Sequence, residues 1–127
     1  MIPKYRMWNG ITSKLHHVTG LYFDSKVAQY IDEVGKLRCI KFENAILMQS
    51  TSLKDKNGKE IFEGDILDYN GRKVIVKWHG SYASFIYEFV DELQNRVTEW
   101  QPLYLSYFHF EVIGNIYENP ELLEVIE

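Results

Sequence analysis

Two Asn-Gly dipeptides, Asn57-Gly58 and Asn70-Gly71, constrain this chain more than any other feature. Each lies between segments able to form strands, and Asn-Gly is the residue pair that best tolerates the two positive φ angles of a type I′ hairpin turn. The run from Ser52 to Trp78 is therefore expected to fold as two successive hairpins. Glu63-Gly64-Asp65 interrupts the apolar pattern between them and predicts a bulge or tight bend. A two-residue turn at Asn70-Gly71 fixes the pairing, with Tyr69 opposite Arg72, Asp68 opposite Lys73 and Leu67 opposite Val74. Leu67, Tyr69, Val74, Val76 and Trp78 then share a core face. Ile66 and Ile75 fall on the reverse face, which predicts that this face is also covered.

The rest of the chain carries short strand signals. Lys4 to Trp8 alternates and ends at Asn9-Gly10, and Leu15 to Phe23, Leu37 to Phe42, Ala45 to Gln49 and Ala83 to Val90 read as further strands. Ser25 to Val34 stays open between helix and strand, because Val27, Tyr30, Ile31 and Val34 match the helical spacing while Gly35-Lys36 resembles a hairpin turn. Tyr104 to Tyr117 is dense in aromatics, and from Phe108 the period is two, with Phe108, Phe110, Val112, Gly114 and Ile116 on one side. Asn119-Pro120-Glu121 has the N-cap, proline and acid of a short C-terminal helix. This pattern of short strands and tight turns predicts a mainly β (α+β) fold, as a small SH3-like barrel or packed antiparallel sheets.

Charge and composition narrow the function classes. Residues 1–79 hold 13 of the 14 Lys/Arg against 9 of the 18 Asp/Glu, whereas residues 80–127 hold only Arg96 against 9 acids. The asymmetry reads either as two solvated faces of one folded domain or as an acidic part that meets the basic part, within one subunit or across a contact between copies. A net charge of −4 does not favour general nucleic-acid binding. No apolar run reaches the roughly 20 residues of a membrane helix. The start of the chain lacks a signal-peptide apolar region, and its single Cys39 cannot form an internal disulfide, so a cytoplasmic location without membrane contact is expected.

Three blocks of sequence resemble the YopX family of phage and prophage proteins. They are Lys4-Tyr5-Arg6-Met7-Trp8-Asn9, the central Leu53 to Leu67 containing Lys54-Asp55-Lys56-Asn57-Gly58 and Phe62-Glu63-Gly64-Asp65, and the closing Phe110 to Leu123. Ser52 departs from the pattern, since the family usually has glycine after a threonine such as Thr51. The resemblance implies a phage or prophage origin, hence a bacterial host cytoplasm. It also implies an N-terminal α/β portion over 1–50 packed on a barrel-like portion over 51–127, in one compact unit. It implies no established activity and transfers no catalytic or binding residue.

No set of side chains predicts catalysis, a metal or a cofactor. His16 and His17 with Asp24 could be ligands, but adjacent residues of a strand point to opposite faces. Cys39 reads as a buried strand thiol without a neighbouring histidine to activate it. The glycines serve turns and form no phosphate loop. Two non-enzymatic functions remain. One is protein–protein contact, as a homo-oligomer or with a phage or host protein, with Tyr104, Tyr107 and Phe108 as oligomer contacts. The other is a nucleic-acid or partner interface on the basic hairpins, where Lys54, Lys56, Lys59, Arg72, Lys73 and Lys77 lie near Tyr69, Trp78 and Tyr82.

Overall fold

The computed structural model describes residues 4–92 and 100–124. The chain divides into two units, Met1–Gln49 and Ser50–Glu127. In the first, strands β1 (Tyr5–Asn9), β2 (Lys14–Tyr22), β3 (Val27–Ile31), β4 (Leu37–Lys41) and the start of β5 (Ala45–Lys54) pair antiparallel in the order β4-β3-β2-β1-β5. The segment from Ser25 to Val34 resolves as strand. Val27 pairs with Lys41 and Ile31 with Leu37, and Gly35 takes φ +84° in the turn. Among the described residues of this unit there is no α-helix, which corrects the expected α/β portion. Helical spacing in this segment reflects alternation instead: Ala28 and Tyr30 point inward with Met7 and Ile40 to form the unit's core. Cys39 is exposed, contrary to the buried thiol expected. It lies on β4 at the sheet edge, one residue before the inward Ile40, and so points outward.

The second unit is built on the double hairpin. The end of β5 pairs with β6 (Glu60–Phe62), and β7 (Asp65–Tyr69), β8 (Arg72–His79), β9 (Ser84–Phe89), β10 (Trp100–Pro102) and β11 (Glu111–Asn115) form a sheet ordered β10-β9-β8-β7-β11. Asn70 (φ +51°) and Gly71 (φ +88°) make the expected type I′ turn, and the predicted register is realised. The first Asn-Gly differs. Only Gly58 has positive φ, and Lys54 pairs with Glu60, so the loop is longer than two residues. The Gly58 amide donates to the Asp55 carbonyl at 3.0 Å, the arrangement of a type I turn closed by a left-handed glycine.

Leu67, Val74 and Val76 are buried on the core face with Ile61, Tyr87, Leu103 and Phe110. Tyr69 and Trp78, expected there too, are 41% and 47% exposed, because they stand at strand ends where the core runs out. Ile66 and Ile75 are buried on the reverse face, as anticipated. The sheet is open, with β10 and β11 at its edges, so the described residues form two antiparallel sheets and no closed SH3-like barrel. The alternating pattern read from Phe108 becomes strand only from Glu111. Leu103–Leu105 and Tyr107–His109 are successive 3-10 turns, and only Glu111–Asn115 is strand, with a register shift between Val112 and Gly114. Pro120–Leu123 is a single 3-10 turn instead of the expected α-helix.

Candidate functional site

The two best-patterned sequence blocks meet through one carboxylate. Asp55 is buried, and its Oδ1 accepts the amides of Asn57 (2.9 Å) and Lys59 (2.8 Å) while Oδ2 accepts the amide of Val112 (2.9 Å). The Lys56 amide donates to the Phe110 carbonyl at 2.9 Å. Burial pushes the Asp55 pKa up, but the three amides, from Val112, Lys59 and Asn57, with the charge of Lys59, outweigh it and hold the pKa below its ordinary 3.8. Asp65, 1% exposed, accepts the Phe62 amide at 2.8 Å across the bend, where Gly64 has φ +86°. Deeply placed, backbone-bonded carboxylates of this kind hold turns.

The hairpin cations lie on the surface, but acids of the same unit sit against several of them. Arg72 bonds Asp91 at 2.9 Å and lies 3.5 Å from Glu92. Lys77 bonds Glu88 at 2.8 Å, and Lys56 lies 3.9 Å from Glu111. Lys73 stands opposite Asp68 and Lys54 opposite Glu60 in the strand registers, while Lys59 adds charge beside Asp55. A phosphate chain would therefore compete with carboxylates already in place.

The aromatic segment after Trp100 forms a different surface. The two 3-10 turns throw Tyr104, Leu105 and Phe108 outward, at 58%, 60% and 52% exposure, while Leu103 and Phe110 are buried in the core. Of the expected contact residues, Tyr104 and Phe108 are thus exposed, and Tyr107 is half-buried against the core and edge-on to Phe108. Beside them the core opens into a cleft of about 130 Å³, lined by Tyr69, Tyr87, Phe89, Ser106, His109 and Phe110. Aromatic density in this segment was visible in the sequence. Its convergence with Tyr69 and Phe89 was not, because it depends on the two 3-10 turns, Leu103–Leu105 and Tyr107–His109.

The first unit holds a separate polar cleft of about 230 Å³ that includes Lys14, His16, Tyr30, Asp32, Glu33 and Arg38. Its charges are matched internally. Arg38 bonds Asp32 at 2.8 Å, and Lys14 and His16 lie 3.3 Å and 3.7 Å from Glu33. The Asp32 pKa is lowered, first by the Arg38 hydrogen bond and then by the Lys36 amide. His16 packs on Tyr30 at 4.5 Å between ring centroids, whereas His17 is exposed on the other face of β2. Among the described residues, no group of three or more His, Cys, Asp or Glu side chains is arranged to hold a metal ion.

These features define a mainly β protein of two antiparallel sheets with an aromatic surface on its second unit. The YopX family model, described as YopX protein, matches residues 4–124, nearly the whole chain, and the protein belongs to that family. A solved structure, protein EF1440 from Enterococcus faecalis, is similar at 33% identity and a TM-score of 0.62, covering 98% of this chain and 99% of that one. No curated protein matches the chain. Among the described residues, no helix is long and apolar enough to cross a membrane.

Proposed function

We propose that this YopX-family protein is a non-enzymatic phage or prophage accessory protein that acts through protein contacts in the bacterial cytoplasm and associates with itself. The observation that carries this reading is the cluster of exposed Tyr104, Leu105 and Phe108 beside half-exposed Tyr69. Large apolar and aromatic side chains held together at a surface by two short turns lose free energy to water, and covering them stabilises a contact. A phage or host protein is the other partner class this surface fits. The acidic residues 80–127 meet basic hairpin residues within the same unit, at Lys56–Glu111, Arg72–Asp91 and Lys77–Glu88, so the contact rests on the aromatic surface and not on the charge split.

The nucleic-acid alternative rests on Lys54, Lys56, Lys59, Arg72, Lys73 and Lys77, and the carboxylates set against Lys56, Arg72 and Lys77 weaken it. One experiment separates the two. Two copies carrying different affinity tags are co-expressed, and one tag is purified with and without nuclease. Recovery of the second copy after nuclease treatment is the expected result. Recovery lost on nuclease treatment supports the nucleic-acid alternative, and absence of the second copy in both arms rejects self-association.

A further inference from the structure

The free edge of β4 is bare, and we infer that it pairs with the β4 of a second copy, antiparallel about Cys39, to run one sheet through two molecules. This contact lies in the first unit, goes beyond the aromatic surface proposed above and does not depend on it.

The hydrogen bonds show which groups of β4 are unused. The Asp32 amide donates to the Lys36 carbonyl and the Phe42 amide to the Lys26 carbonyl, each at 2.9 Å, at the two ends of the β3–β4 ladder. Bonded pairs alternate along an antiparallel ladder, so they fall at Tyr30–Arg38 and Ala28–Ile40. Leu37, Cys39 and Lys41 therefore turn their amides and carbonyls to the free edge, where no described residue bonds them. Other sheet edges are blunted. At β11 the Val112 amide is taken by Asp55 and the adjoining Phe110 carbonyl by the Lys56 amide. β6 and β10 are three residues long, and β10 ends on Pro102. β4 has five residues, no proline and an unbroken register with β3.

A second copy fits this edge because the strand is complementary to itself. With Cys39 on the two-fold axis, Leu37 meets Lys41 of the second copy, Arg38 meets Ile40, and every outward group of the strand is bonded. No two cations face each other, and the Lys41 stem covers Leu37, which is 62% exposed. Sliding the register one way sets Arg38 against Arg38, a like-charge pair. Sliding it the other way leaves Leu37 beyond the end of the second strand.

Cys39 is exposed and reports the pairing without taking part in it. On the axis the two Cys39 Cα atoms stand about 5.5 Å apart, within the roughly 4.4–6.8 Å that a disulfide spans. Diamide takes up the two thiol hydrogens and leaves the S–S bond, and non-reducing gels measure the linked dimer. The background is the Phe108→Ser chain, in which the aromatic contact is weakened. Linkage through Cys39 there is expected to be about ten-fold or more faster than in the same chain with Cys39→Ser and Ser25→Cys, whose exposed thiol meets its copy only by collision. Lys41 has φ −67°, a proline value, and its amide points to the free edge, so Lys41→Pro keeps the β3 ladder and obstructs the second copy. That substitution is expected to bring linkage down to the collisional rate with the circular dichroism spectrum kept, whereas Lys41→Ala keeps the fast rate. Equal rates for Cys39 and Ser25→Cys, or fast linkage that survives Lys41→Pro, would overturn the pairing. Fast linkage in the wild type that Phe108→Ser abolishes would also overturn it, by assigning the contact to the aromatic surface. Fast Cys39 linkage beside a sedimentation profile that Phe108→Ser leaves unchanged removes the aromatic contact alone and supports the pairing.

Discussion

Replacing Asp55 tests whether the central and closing sequence blocks are held together as described. Its carboxylate receives three amides at 2.8–2.9 Å from a site only 6% exposed. Hydrogen bonds to a charged group contribute roughly 1.5–3 kcal/mol each, and they are not additive within one carboxylate. Asp55→Ala leaves the Asn57, Lys59 and Val112 amides without that partner and is expected to destabilise the protein by about 3–5 kcal/mol. Asp55→Asn keeps one acceptor oxygen for the turn but turns an NH2 toward the Val112 amide, at a cost of about 1–2 kcal/mol. Urea unfolding followed by far-UV circular dichroism gives both values. The sign with pH follows from the lowered pKa. The folded carboxyl titrates below 3.8, so its stabilisation is fully present above that pH and is lost as pH falls through the folded value. Asp55→Asn should lack this acid-sensitive component. An Asp55→Ala protein within about 1 kcal/mol of wild type would refute the reasoning, because a buried carboxylate with three amide donors cannot be that dispensable.

Two further outcomes follow from the hairpins. Ser52 stands where the family usually has glycine, and it takes φ +63° with its amide bonded to the Ser50 hydroxyl at 3.0 Å. A left-handed backbone costs a non-glycine residue about 1 kcal/mol or more, partly offset by the greater freedom glycine loses on folding. Ser52→Gly is therefore expected to be neutral or stabilising by up to about 1 kcal/mol and Ser52→Val destabilising by more than about 1 kcal/mol, both read by urea midpoint. Fluorescence anisotropy with a labelled single strand at about 50 mM salt is expected to show no saturable binding, and none that changes in Lys56→Glu with Lys59→Glu. Binding abolished by those substitutions would establish the basic hairpins as the working surface.

The parts of the fold legible in the sequence are those set by local chemistry. Asn70-Gly71 fixed its own turn, and with it the register from Ile66–Ile75 to Tyr69–Arg72. Gly64 marked the bend, and Ile66 and Ile75 announced a covered reverse face. Asn57-Gly58 was misleading because Asp55, two residues earlier, captures the turn with its side chain and makes the longer loop the better-bonded one. Nothing local could reveal that the other oxygen of Asp55 reaches Val112, 57 residues away. The same limit applies to the candidate site. Tyr104 and Phe108 were legible as aromatic surface, but period-two spacing from Phe108 gave no sign of the successive 3-10 turns Leu103–Leu105 and Tyr107–His109. Those turns expose Phe108, bury Phe110 and bring His109 beside Tyr69, so the cleft is a product of tertiary placement. In the first unit, the spacing of Val27, Tyr30, Ile31 and Val34 fits helix and strand alike, and pairing of β3 with both β2 and β4 decides for strand.

Sedimentation velocity of the wild-type chain and of Phe108→Ser, at concentrations up to tens of micromolar, addresses the contact surface most directly. Phe108 is 52% exposed, so its removal leaves the buried core of Leu103 and Phe110 in place and the variant should remain folded. The account predicts a concentration-dependent species larger than the monomer for the wild type and a shift toward monomer for the variant. A wild type that sediments as a monomer throughout, or an assembly that Phe108→Ser leaves unchanged, would contradict it.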